Sequence, residues 1–442
     1  MTITAKAKIT GELVAGVPIC VGDGGLGDLV DIDLARDGRG RYYIPGSSLA
    51  GPMRAWVEQN HGDSMAGTLF GDSGRAGCLT VEDAPIANNR ARERRHGISI
   101  DPDSGTTKDR SLYSRALLPK GARFRLEMEL EVAQGQGTKE VLGLLLEALR
   151  QEKIRFGSSK TRGFGKMRLE NLVINYYDFT QPGEFDRWLN GENASQQGLG
   201  TPGNAAGVSL NPAYEILIDW SPISRIMVKA GREGTATKIL PLMSAVDGGI
   251  LPVIPGSSIK GVLRSQACRI LRTIFQDDQR VDEMVDDIFG STERSGRVFV
   301  DDVYPTSTPL SASDWLNEDQ QAMDRITVNE MHNAIDRFTG GVADGALYSV
   351  RPVEKNIVWN PIRIVADFSR PPGLSPLAEL ALLELVARDM EEGLVPIGFG
   401  VNRGFGEIQV TGRSGFPDAD QMQRAWEQFI GDAAQPVDAN GG

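Results

Sequence analysis

Three cysteines in 442 residues, Cys20, Cys78 and Cys268, stand too far apart for a Cys-x-x-Cys pair, and their odd number gives no disulfide framework. Histidine is as scarce: His61, His96 and His332 have no cysteine at metal-ligand spacing, which argues against a zinc site. No apolar run reaches the roughly 18 residues of a membrane helix, and the N-terminus alternates polar with apolar residues instead of building a signal-peptide core. The reading is a soluble, cytoplasmic chain with no membrane partner. Positive charge is in deficit, 47 Lys and Arg against 59 Asp and Glu, so the net charge of −12 repels phosphate backbones and any nucleic-acid surface must be local. The glycine loops lack a Gly-Lys-Ser/Thr ending, which argues against a P-loop nucleotidase.

What the chain has in excess is glycine, 52 residues against a usual share of roughly 7 %. Its 40 % hydrophobic and 24 % charged residues are those of a globular protein of two or three domains. Much of the glycine lies in motifs that occur twice in the same order. Ile44-Pro45-Gly46-Ser47-Ser48-Leu49 returns as Ile254-Pro255-Gly256-Ser257-Ser258-Ile259, with Arg54 matching Arg264. Phe70-Gly71, Gly77 and Asp83 return as Phe289-Gly290, Gly296 and Asp302; Leu112-Tyr113-Ser114 as Leu347-Tyr348-Ser349; Arg162-Gly163-Phe164-Gly165 as Arg403-Gly404-Phe405-Gly406. The chain is a tandem duplication. We expect domains at 1–190 and 212–412, a linker at 191–211 of turn-forming composition, and a tail at 413–442 with one short amphipathic helix that the fold does not need.

Within the first copy, residues 3–14 and 123–132 alternate as strands, 78–84 reads as a strand, and the Ser47-Ser48 pair is placed to N-cap a helix running to about Asn60. Residues 138–153 carry an apolar stripe at helical spacing, and a last strand runs through 165–177. The second copy repeats the order, with strands at 212–220, 297–304, 357–368 and near 405–411 and helices at 257–275 and 375–392. β-α-β-β-α-β is the order of an α+β, ferredoxin-like (RRM-like) domain. Segments 84–122 and 305–356 read as insertions.

The Ile-Pro-Gly-Ser-Ser motif, the Phe-Gly pair and the Arg-Gly-Phe-Gly loop resemble those of the RAMP superfamily, specifically the backbone subunits of type III CRISPR effectors. Two such subunits fused in tandem resemble the type III-D arrangement. The resemblance implies two RAMP domains with thumb-like inserted loops, bound along a CRISPR guide RNA beside other backbone subunits and the large signature subunit. It also implies pairing with a complementary target RNA, which some members cut with a loop aspartate.

The residues support RNA contact at several places. A glycine loop before a helix start exposes N–H groups, so Gly46, Ser47, Ser48 and Gly256, Ser257, Ser258 are candidate phosphate contacts, with plain N-capping as the alternative role of the serines. Arg54, Arg264 and Lys260 are basic residues in the two helices that follow, with Ala50 where the second copy has Lys260. Lys160, Arg162 and Gly163 in one loop, and Arg403 and Gly404 in the other, offer a cation and bare backbone to a phosphate. Phe164 and Phe405 read as packing residues. Between Asn88 and Arg125 there are ten Lys or Arg against four Asp or Glu, with Arg94 and Arg95 in the densest cluster.

The family's cutting aspartate lies thirteen residues before the isoleucine of the Ile-Pro-Gly motif, and Asp31 holds that position relative to Ile44, with Asp28 and Asp33 as rivals. The expected activity is a metal-dependent endoribonuclease on guide-paired target RNA, using a loosely held Mg²⁺ or other divalent cation for which Asp31 is the candidate ligand. The position thirteen before Ile254 is Pro241, so the second domain is expected to be inactive there. Two other readings stand beside this one: an inactive RNA scaffold, and a guide-processing RNase using His96.

Overall fold

The computed structural model describes residues 2–22, 30–88, 90–101, 109, 111–133, 137–199, 213–230, 238–246, 248–369 and 373–433. Backbone contacts divide the chain into two units, one of residues 1–94, 113–160 and 164–211, the other of residues 95–112, 161–163 and 212–442.

The first unit is built on β1 (Ile3–Ala15), α1 (Gly46–His61), α2 (Asp63–Phe70), β2 (Leu79–Val81), β3 (Arg123–Ala133), α3 (Thr138–Arg150) and β4 (Met167–Asp178). Its sheet runs β2-β3-β1-β4, so β1 is central and pairs antiparallel on both sides, Ile9 facing Met128 and Ile174. That is the ferredoxin-like strand order. Alternation along β1 buries Ala5, Ala7, Ile9, Leu13 and Ala15 on one face, and Val141, Leu142, Leu145, Leu146 and Leu149 of α3 join the same core. Gln196–Gln197 adds an edge strand beside β4, and the Tyr177 hydroxyl donates to the Glu192 carbonyl at 2.8 Å. Gln196–Gln197, expected within the linker, is therefore part of the first sheet, and residues 200–211 of that segment lie outside the described residues.

The second unit repeats the plan with β5 (Ala213–Pro222), α4 (Gly256–Ile274), α5 (Asp278–Phe289), β6 (Val298–Val300), β7 (Ile362–Asp367), α6 (Pro376–Glu391) and β8 (Ile408–Ser414), the sheet running β6-β7-β5-β8. The chain is thus an α+β protein of two ferredoxin-like domains. The strand expected at 357–368 starts only at Ile362, because 358–361 leads into it through Pro361. A final helix α7 (Ala419–Ala433) was expected to be dispensable, yet Met422 is buried and Trp426 and Phe429 pack against the second core, Phe429 meeting Phe275 edge-on at 5.5 Å. Its amphipathic pattern covers apolar surface that would otherwise face water. The second insertion forms a hairpin, Glu330–Ile335 with Val342–Val350, that leaves Met331, Ile335, Val342 and Leu347 more than half exposed and Phe338 fully exposed at its tip. Among the described residues no helix is long and apolar enough to cross a membrane.

Candidate functional site

In the first unit the chain leaves β1 through Val17–Gly22 and returns as a second extended stretch at 31–36. Ala35 N–H donates to the Val21 carbonyl at 2.9 Å, and Ala116 N–H to the Ile32 carbonyl at 2.9 Å, so residues 32–35 are strapped between segments 19–22 and 114–118. Asp31 sits at the exposed entry of this strap. Its Oδ2 accepts from the Ser114 N–H at 2.6 Å and the Ser114 hydroxyl at 3.1 Å, while its own N–H donates to the Ser114 carbonyl at 3.1 Å. The carboxylate is therefore fixed by a residue 83 positions away. Asp33 is half-buried and faces inward: it accepts from the Leu34 N–H at 2.8 Å and from Arg92 at 3.3 Å, with Arg36 at 4.0 Å. Of the two, Asp31 is the one presented to solvent. Asp28 lies outside the described residues.

The loop carrying Lys160 reaches the same place. Gly157 has φ +80°, a conformation that favours glycine, and a Cβ there would strike the Cys20 carbonyl; the next N–H, of Ser158, donates to that carbonyl at 2.8 Å. Ser159 accepts from Arg115, whose guanidinium stacks on Tyr113 at 4.8 Å and lies 5.6 Å from Phe164. Phe164 is buried against Cys20 and Leu117, as a packing residue. Burial pushes the Cys20 thiol up, against a lowering hydrogen bond from Ser158. Asp31, Ser114 and the Gly157–Lys160 loop thus flank one edge of the unit, with Arg92 beside Asp33.

Among the described residues no three His, Cys, Asp or Glu side chains come together to hold a metal. Around Asp31 the described donor set is one exposed carboxylate tied at Oδ2, too few ligands to hold a divalent cation by itself.

Several basic residues have structural duties instead of open ones. Arg54 donates to the Gly71 carbonyl, and its counterpart Arg264 donates to the Gly290 carbonyl at 2.6 Å and pairs with Asp286. Both clamp the C-terminus of the next helix, where the Phe-Gly glycines adopt φ +85° and +89° so that the chain can reverse against Gly77 and Gly296. Lys260 is buried, donates to the Val298 carbonyl at 2.7 Å, and is pushed down to about 7, by burial first and then by Arg162 and Arg264. It is not placed to meet a phosphate. Arg95 is likewise buried, in the second unit, where it pairs with Asp302 at 2.5 Å and donates to the Ser244 hydroxyl at 2.9 Å. Arg94, Arg162 and Arg403 are exposed, and Arg403 also donates to the Tyr348 hydroxyl at 3.1 Å.

The helix starts differ from expectation too. The N-caps are Pro45 and Pro255, with no side-chain capping bond from the serines. The first N–H of each helix is taken by a distant carboxylate, Gly46 by Asp83 at 2.8 Å and Gly256 by Asp302 at 2.9 Å. An aspartate thus occupies the anion position at each helix start, and Ser47 and Ser257 remain as the candidate phosphate contacts. The matched pair Asp83 and Asp302 carried this signal in the repeat. Asp83 is exposed, whereas Asp302 is buried under Arg95.

The second unit also corrects the alignment around Asp31. The Gly22–Leu34 bridge recurs as Lys229–Pro241, the Val21–Ala35 bond as Val228–Leu242, and the Ile32–Arg115 bridge as the parallel pairing of Ile239 with Val350. Counting back one residue, the counterpart of Asp31 is Lys238, paired with Ser349 where Asp31 meets Ser114. Pro241 corresponds to Leu34 instead, because the extra residues of the second copy fall after this strap and before Ile254. His96, the alternative catalytic residue, is half-buried, and its Nε2 is shielded from solvent.

Two βαββαβ sheets, each with a paired Pro-Gly-Ser-Ser helix start and an Arg-Gly-Phe-Gly loop, define a tandem ferredoxin-like protein with an exposed polar edge on each copy. The family model of the RAMP superfamily matches residues 15–168 and 233–409, one match per copy. The chain belongs to the RAMP superfamily, a membership that points to a CRISPR-associated RNA-binding subunit. No curated protein matches it.

Proposed function

We propose that the chain is a backbone subunit of a type III CRISPR effector, which lies along the guide RNA and cuts the paired target RNA once, at Asp31. The observation that carries this reading is the fixed, solvent-facing carboxylate of Asp31, held by Ser114 from a distant segment. A ribose 2′-hydroxyl placed against the solvent-facing carboxylate gives up its proton there as its oxygen attacks the adjacent phosphorus; the P–O5′ bond breaks and the departing oxygen takes up a proton from water, leaving a 2′,3′-cyclic phosphate and a 5′-hydroxyl end. Ser114 keeps the carboxylate oriented, and Lys160 supplies positive charge for the strand. A divalent cation at Asp31, completed by RNA phosphates, would add charge stabilisation at the phosphate. In the second copy Lys238 occupies the equivalent position, so no proton acceptor of this kind stands there.

Asp31→Ala and Asp31→Asn in the reconstituted guide complex should lower target cleavage by about 10²–10⁴-fold with guide and target binding retained. Unchanged cleavage with retained binding refutes the assignment and leaves an RNA scaffold.

A further inference from the structure

At the place in the second copy where the first presents Asp31, the surface opens into a cavity of about 380 Å³ lined by Lys238, Gln320, Asn329, Tyr348, Ser349 and Arg351, with Met331 and Leu347 at its apolar side. Arg351 is buried at its base and fully engaged, donating to Asp324 at 3.1 Å, to Thr327 at 3.0 Å and to Gln320. It fixes the wall and does not itself face a ligand. Lys238 is the cation at the rim. Its ammonium pairs with Glu318 at 2.5 Å, a carboxylate that is more than half exposed and that Lys238 holds below the usual carboxylate range.

A lysine–glutamate pair whose carboxylate stands in solvent is weak and is screened by salt. A phosphate, with more charge and more acceptor oxygens, competes well for the same ammonium, while amides from Gln320 and Asn329 and the Ser349 hydroxyl supply further donors on the cavity wall. Arg403, exposed and bonded to the Tyr348 hydroxyl at 3.1 Å, adds a second positive charge at this edge. The apolar side, Met331 and Leu347, gives a nucleobase a surface to lie on.

We propose that this cavity is a phosphate site that holds a nucleotide of an RNA strand, Lys238 displacing its bond to Glu318 onto the phosphate. The two copies then differ at one position, a carboxylate in the first and, in the second, an ammonium that grips the strand. The inference rests on RNA being the ligand of this edge, as in the proposed function, but not on Asp31 being catalytic.

The test uses the full chain and a fluorescein-labelled single-stranded RNA, in EDTA so that cleavage plays no part. Wild type, Lys238→Ala, Lys238→Arg and Glu318→Gln are titrated by anisotropy across a salt series. Lys238→Ala should weaken binding several-fold and reduce the slope of log K against log salt by about 0.7. Lys238→Arg should restore the slope, and Glu318→Gln should tighten binding by removing the competitor. AMP added in competition identifies the source of the phosphate: displacement at the Lys238-dependent site shows that free nucleotides enter, and resistance shows that only strand phosphates do. A Lys238→Ala protein with wild-type melting and an unchanged slope overturns the proposal.

Discussion

At the residue scale, the structure separates charges that are free to meet RNA from charges that hold the fold. Lys260 shows the difference most clearly. Its position in a Pro-Gly-Ser-Ser-x-Lys run reads as a phosphate contact, but the ammonium is sealed beneath β6 with a carbonyl as its partner. The folded value of about 7 lies below the ordinary 10.5, so the unfolded chain binds this proton more tightly. Stability from this residue therefore rises with pH between about 7 and 10.5 and is flat below that window. Lys260→Met should accordingly stabilise the protein at pH 7, on the order of a few kcal/mol from the lost burial penalty, and flatten the pH dependence of the urea midpoint between pH 7 and 10. RNA affinity should not change. A loss of RNA affinity in a folded Lys260→Met protein would return the residue to the interface.

At the element scale, the repeated motifs prove to be joints. Arg54 and Arg264 each reach from the first helix of a copy to the carbonyl that ends the second, and the glycine after each Phe turns the chain where a Cβ has no room. Arg264→Ala removes a charge-assisted bond and should cost about 1.5–3 kcal/mol in chemical denaturation, with the salt slope of RNA binding unaltered. A reduced slope would instead place the guanidinium on a phosphate. The C-terminal helix makes a similar point about packing. Phe429 lies against Phe275 in the second core, so Phe429→Ala should lower stability by about 1–3 kcal/mol, a partly buried version of an aromatic truncation; an unchanged midpoint would show that α7 is dispensable.

Strand order and helix placement were legible in the sequence because alternation and the 3.6-residue stripe report directly on which face is buried, as in β1 and α3. What could not be read were contacts whose partners are far apart in the chain. Ser114 under Asp31, Asp83 on the Gly46 N–H and Arg95 on Asp302 join segments 83, 37 and 207 residues apart. Residue type alone therefore assigned Arg95, Lys260, Arg54 and Arg264 to RNA. Counting from the Ile-Pro-Gly motif led to Asp31, whose carboxylate is exposed and fixed by Ser114, but the same count gave Pro241 in place of Lys238, since a few inserted residues shift the register without disturbing the strap.

At the scale of the whole molecule, the duplication keeps the sheet, the helix starts and the glycine loops in both copies and changes what stands at one edge. In the first copy that position is Asp31 on Ser114; in the second it is Lys238 on Ser349, beside a cavity. The net charge of −12 makes such local cations matter, because the molecule's overall field repels a phosphate backbone. One chain would then contribute two grips on RNA and a single cut.

The measurement that tests this most directly is mapping of target-RNA cut positions and end groups in the reconstituted guide complex, comparing wild type with Asp31→Ala while target binding is measured in parallel. The account predicts loss of one cut bearing a 2′,3′-cyclic phosphate, with binding intact and any cuts made by neighbouring subunits unchanged. The full wild-type set of cuts from the Asp31→Ala complex would contradict it.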